Sequence, residues 1–218
     1  MQLNCGNIHE QCAISPPRVL REIQDDLRSA GVVPTLNPTT GALLRTLAVS
    51  HPSGVFLQLG VGSCELVAWI ADGMDITSRL VTVVVDPTLR NILKHHLGDD
   101  IRMAFHNQNE LEFLIDVHRH RFHLIVIDCV LAGVRLVRAA SETVAAGGLL
   151  VITDIVADGA ECPEAREAIS FLQGLEDFRT VSLPEPTNVL VSARCPMTHK
   201  PVRKGGRQAR RSVPPKRS

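Results

Sequence analysis

The stretch Val55-Phe56-Leu57-Gln58-Leu59-Gly60-Val61-Gly62-Ser63 is a short apolar run that breaks on two glycines. Five residues of this kind suit a strand covered on both faces. Glycines directly behind it let the backbone approach a ligand that any Cβ would obstruct. Helical spacing follows over 65–72, then a second strand over 80–85 that ends at Asp86-Pro87. The alternation repeats: a helix at 89–97, a strand at 101–105, a helix at 111–117, and a strand at 122–127 closed by Asp128. A helix over 134–146 leads through Gly147-Gly148 into a fifth strand at 149–153, closed by Asp154. A helix at 164–175 precedes two strands, 181–183 and 189–193, separated by Pro184 and Pro186. This rhythm predicts an α/β fold: a doubly wound, mainly parallel seven-stranded sheet with helices on both faces and an antiparallel closing hairpin.

Upstream, Val19, Leu20, Ile23 and Leu27 have helical spacing, with Gly31 as the stop. A second helix carries Leu43, Leu44 and Leu47, with Thr39 or Thr40 as its cap. The organisation is read as an N-terminal helical segment, 1–50, a ligand-binding core, 51–195, and a tail, 196–218. The net charge of zero conceals an asymmetry. From Pro196 to Ser218 there are eight basic residues and no acid, so the rest holds 15 basic against 23 acidic residues, a net −8. Such a tail, poor in apolar residues, is predicted to be disordered, with anion binding to nucleic acid or an acidic partner as its sharper use. Aromatics are only 3% of the chain, which argues against a base-stacking surface. No run approaches the length of a membrane span and no basic-then-apolar leader opens the chain, so a cytoplasmic protein is expected. The six cysteines lack metal-like spacing.

In open α/β sheets the ligand lies at the carboxyl ends of the strands. Here those ends present Gly60, Val61 and Gly62, then Asp86-Pro87, Asn107 and Gln108, Asp128, and Asp154. An acid ending the second strand, 26 residues after Gly60, suits a grip on ribose hydroxyls. The dinucleotide pattern requires a third glycine at position 65, where Glu65 stands. A carboxylate there would repel a pyrophosphate at a helix N-terminus. S-adenosylmethionine (SAM) carries no phosphate, so the reading favours a methyl donor.

The residues also carry a family resemblance. NPTTGALL (37–44), QLGVGS (58–63), FHLIVID (122–128), GGLLVITD (147–154) and the closing segment 183–194 resemble, in register, the cation-dependent O-methyltransferases of the catechol and caffeoyl-CoA type. The resemblance implies SAM as cofactor, a small-molecule acceptor and a homodimer. It places Gln58 at the family's cofactor-loop acid and Asn107 or Gln108 near the adenine. Asp128 and Asp154 fall on two ligand positions for a divalent cation, with Asp128 also the candidate catalytic residue. The third ligand position is Ile155, which supplies no oxygen. The family's catalytic lysine position is Leu131. The expectation is a methyltransferase without strict metal dependence, in which Asp128, Asp154, His9 or His51 takes the acceptor's proton. The alternatives are a degenerate binding protein, or a nucleic-acid methyltransferase using the basic tail.

Overall fold

The computed structural model describes residues 14–60, 64–128, 132–157, 160–161 and 163–196. Two helices, α1 (Leu20–Ser29) and α2 (Pro38–Val49), precede β1 (Val55–Leu59). Then follow α3 (Cys64–Gly73), β2 (Arg79–Val83), α4 (Pro87–Leu97), β3 (Met103–His106), α5 (Glu110–Asp116) and β4 (Phe122–Asp128). The chain continues through α6 (Val134–Thr143), β5 (Val144–Thr153), a short hairpin β6 (Val156–Ala157) and β7 (Ala160–Glu161), and α7 (Pro163–Gln173). It closes with β8 (Phe178–Leu183) and β9 (Val189–Arg194).

The seven-stranded sheet has the order β3-β2-β1-β4-β5-β9-β8. β1 through β5 are parallel, and β9 returns antiparallel against β5 and β8. The order reverses between β1 and β4, so the crevice of a doubly wound sheet opens there. Alternation along each strand divides the core between two faces. Leu57, Leu59, Ile125, Ile127, Leu150 and Ile152 pack with α5, α6 and α7, whereas Phe56, Leu124, Val126 and Val151 pack with α1 to α4. Both layers are almost wholly aliphatic, as the scarcity of aromatics requires. Trp69, 1% exposed on α3, and the buried Phe56, Phe113, Phe122 and Phe178 are the exceptions.

Several boundaries differ from expectation. Asn37 caps α2: its side chain accepts the Thr39 N–H at 2.8 Å, with Pro38 at the first helical position, so neither Thr39 nor Thr40 is the cap. The helix predicted to reach Ala146 stops at Thr143, and β5 begins at Val144. The ladder with β4 shifts register between the Phe122–Val144 and Leu124–Leu149 pairs, and Gly147 takes φ 79° in that irregularity. Leu20, Ile23, Leu27, Leu44 and Ala48 of the N-terminal helices belong to the cluster containing Trp69 and Phe56. The hairpin β6–β7 had no signal in its sequence. No helix among the described residues is long and apolar enough to cross a membrane. The basic tail, apart from Pro196, lies outside the described residues.

Candidate active site

At the carboxyl ends of β1, β2, β4 and β5 the chain carries Gly60, Asp86, Asp128 and Asp154 respectively. Gly60 leaves β1 with φ 99°, a conformation that favours glycine, and its N–H donates to the Val83 carbonyl at 3.2 Å. Gln58 lies two residues earlier on the face toward α1–α4, 2% exposed. Its Nε2 donates to the Gly60 carbonyl at 2.6 Å, while Oε1 has no hydrogen-bond partner among the described residues. A buried amide oxygen without a partner is costly, and it is the acceptor that an incoming N–H donor would satisfy. Val61 and Gly62, the other two loop positions, lie outside the described residues.

Asp86 caps α4. One carboxylate oxygen, Oδ1, accepts the N–H groups of Thr88 and Leu89 at 2.7 and 3.0 Å, and Pro87 occupies the first helical position. The residue is exposed, and Oδ1 holds the helix. Beside it, Arg90 Nη1 donates to the carbonyls of Val84 and Val85 at 3.0 and 3.1 Å. Asn107 is exposed just past β3, and Gln108 donates to Asp116 of α5 at 3.1 Å.

Asp128 ends β4, 9% exposed and in register with Thr153 of β5. Asp154 follows with φ 54°, in the left-handed region that Asp tolerates better than most residues. Burial holds its carboxyl above the usual carboxylate range, and the charges of Asp128 and then Glu65 add to the effect. These couplings put three acids at one end of the sheet. Ile155 is not a fourth member. It is 5% exposed and packs in the aliphatic cluster of the α5–α7 face, with its N–H donating to the Asn188 carbonyl at 3.0 Å. Position 155 therefore points its side chain into the core, and the three-ligand cation site of the resembling family does not fit here.

Glu65 has a role that its sequence position did not suggest. It is 2% exposed, accepts from Gln24 Nε2 of α1 at 2.5 Å, and accepts the Leu36 N–H at 3.3 Å. It thus ties the N-terminal segment to the first turn of α3, next to the glycine loop. No local pattern could have revealed this, since the partners lie 41 and 29 residues away. The neighbouring Cys64 thiol is pushed by burial up to about 12, with the charges of Glu65 and Asp86 acting in the same direction. A cavity of about 730 Å³ opens between α1 and α3, with Gln24, Leu36, Pro38, Glu65 and Trp69 in its wall.

His51 does not reach the site. It precedes β1, at the amino edge of the sheet, where Nδ1 meets the Leu47 carbonyl at 3.0 Å and the ring lies 6.1 Å from that of His123. It cannot take a proton at the opposite edge. His9 and Leu131 lie outside the described residues.

Neither a family model nor a curated protein matches the sequence. Solved structures do. A methyltransferase from Geobacter sulfurreducens aligns over 85% of this chain and 92% of its own, with 23% identity and a TM-score of 0.68. An O-methyltransferase from Bacillus cereus, solved in complex with SAH, aligns over 84% and 92% with 16% identity and a TM-score of 0.69. An O-methyltransferase of tomaymycin synthesis from Streptomyces achromogenes, in complex with SAM, aligns over 84% and 91% with 16% identity and a TM-score of 0.69. At these identities the likeness is one of backbone, and the chain shares the fold of these methyltransferases.

Proposed function

We propose that this protein is a SAM-dependent methyltransferase that transfers a methyl group to an oxygen of a small-molecule acceptor without requiring a divalent cation. The observation that carries the reading is the Gln58–Gly60 corner. At the switch point of a methyltransferase fold, a glycine with positive φ adjoins a buried acceptor that lacks a partner. The ammonium of SAM's methionine moiety is a donor of the kind that Gln58 Oε1 would accept, and the exposed Asp86 is the candidate for a ribose hydroxyl. The residues present thus fit the cofactor. Two oxygen-bearing residues and a core-packed isoleucine do not fit the three-ligand cation site of the resembling family.

Bound SAM supplies an electrophilic methyl group on a sulfonium. The acceptor oxygen attacks the methyl carbon as the carbon–sulfur bond breaks, the bond pair staying on sulfur. Such a displacement depends mainly on proximity and alignment. The chain's contribution is to hold both reactants and to receive the acceptor's proton. Asp128 and Asp154 border the crevice, and the raised affinity of Asp154 for a proton brings it closer to the range useful to a general base. The cavity walled by Glu65, Leu36, Pro38 and Trp69 is where the acceptor would enter, beside the glycine loop. Following the resembling family, the assembled form is taken as a homodimer, which light scattering would check.

The test is calorimetry with S-adenosylhomocysteine (SAH) and SAM, with and without magnesium. Binding of both without the ion is expected, and no heat under either condition would overturn the reading. A second reading, a binding protein without turnover, is favoured by the core-facing Ile155 and by the diversion of Asp86 Oδ1 to helix capping. It would prevail if the cofactor binds yet no methyl group leaves SAM across a panel of phenolic, carboxylic and amine acceptors.

A further inference from the structure

Away from the crevice, helices α1 and α4 lie against each other, and their seam gathers four metal-ligating side chains. Glu22 and Asp26 are one turn apart on α1, and His95 and His96 are adjacent in the last turn of α4. Ligand atoms of Asp26, His95 and His96 all lie within 4.8 Å of one another. His96 is the buried member, its side chain 9% exposed, with Nε2 at 2.8 Å from Asp26 Oδ2 and Nδ1 at 3.7 Å from Glu22 Oε2. The His95 ring stands edge-on to it, with centroids 4.8 Å apart. An ion pair between helices requires one imidazole and one carboxylate. A second imidazole brought within 4.8 Å of the same carboxylate exceeds that need, while Glu22 engages the other ring nitrogen of His96.

We propose that this seam is a binding site for a zinc-class divalent transition ion, held by Asp26, His95 and His96 with water completing the sphere, while Glu22 orients His96 through its other ring nitrogen. Two imidazoles with a carboxylate suit zinc, nickel or copper, whereas magnesium and calcium prefer all-oxygen sets. Ligand bonds of about 2.0–2.2 Å require these atoms to draw in slightly from their present spacing. The exposed His95 and the half-exposed Asp26 have room to do so. The ion would staple α1 to α4. Between Glu22 and Asp26 on the same helix stands Gln24, the residue that reaches Glu65 and walls the cavity. The ion's structural effect is therefore to fix the seat of α1 beside that cavity. The inference stands on the seam alone and does not depend on methyl transfer.

The experiment uses the full chain without a polyhistidine tag, stripped with chelator, dialysed, and kept reduced. Cobalt(II) is titrated while its visible absorption is followed, zinc is then added in competition, and melting is measured at each stage. The expected result is one equivalent of cobalt displaced by zinc, with zinc raising the melting temperature and magnesium leaving it unchanged. His95→Ala removes an exposed ring and Asp26→Asn a charge, so both variants should fold, as their metal-free melting would verify. Each should lose at least the about 10-fold in affinity that even outer-shell changes cost, together with the thermal gain. SAH affinity, measured in parallel, should stay the same in both variants. The proposal is overturned if wild type shows no cobalt binding that survives dialysis, or if neither variant weakens it. A sulfur charge-transfer band would also overturn it, since the ion would then sit on cysteines.

Discussion

Asp86 caps α4 through Oδ1, and substitutions separate that role from the ribose contact proposed for it. Ala removes both, so Asp86→Ala should cost about 1 kcal/mol in urea unfolding through the lost cap. It should also weaken SAH binding by about 1.5–3 kcal/mol through the lost ribose contact. Asn retains a capping acceptor, so Asp86→Asn should recover most of the stability but not the affinity. An Asn variant that binds SAH as wild type does would remove Asp86 from the site. Asp154 makes a different prediction, because burial and Asp128 raise its folded-state pKa. Between its unfolded and folded pKa values the native state holds a proton that the unfolded chain has released, so stability falls as pH rises through that window. The Asp154→Asn variant escapes this loss and also tolerates φ 54°. It should therefore melt higher than wild type at neutral pH, and the gain should vanish below about pH 4. Equal melting at both pH values would show that the carboxyl is not desolvated.

At the scale of elements, the N-terminal helices are held by a shared apolar cluster and by a few contacts of high specificity. α2 packs on α3 at Gly41, where an added Cβ would collide with the indole of Trp69, a side chain only 1% exposed. Neither partner can yield, so Gly41→Ala should destabilise by about 1–3 kcal/mol, as overpacking does, and denaturant titration would measure it. A loss below a few tenths of a kcal/mol would mean that the helices slide apart easily. The start of α2 is also pinned through Thr40, 1% exposed, whose hydroxyl donates to the Thr187 carbonyl at 3.0 Å. Thus the turn between β8 and β9, the Asn188–Ile155 bond and the head of α2 form one continuous border to the crevice.

For the whole molecule, the decisive matter is whether the three acids at the sheet's carboxyl end act with a cation or without one. Asp128 and Asp154 could attract magnesium through its water shell, but the core-facing Ile155 gives no third ligand. SAH affinity should therefore change less than about twofold, under 0.5 kcal/mol, on adding millimolar magnesium. A large gain would mean that another group completes the sphere. Magnesium is the suitable probe because the imidazole pair at the α1–α4 seam does not compete for it.

The order of elements, the parallel sheet and the places where strands stop were legible in the sequence, because continuous apolar runs and the glycines and acids behind them are local signals. Val55–Leu59, Phe122–Asp128 and the closing pair Phe178–Leu183 and Val189–Arg194 were recognisable for that reason, within a few residues at their ends. So were Gly60 and the acids, as positions at strand ends. The use of each side chain was decided by tertiary structure. Ile155 turns into the core, Glu65 anchors α1, and His51 stands at the wrong edge, all through contacts between residues far apart in the chain. Helix α6 stops early because β5 must begin beside Phe122, a pairing that no local propensity encodes. The seam of Glu22, Asp26, His95 and His96 was likewise invisible, since two helices some seventy residues apart meet only once the sheet has been wound.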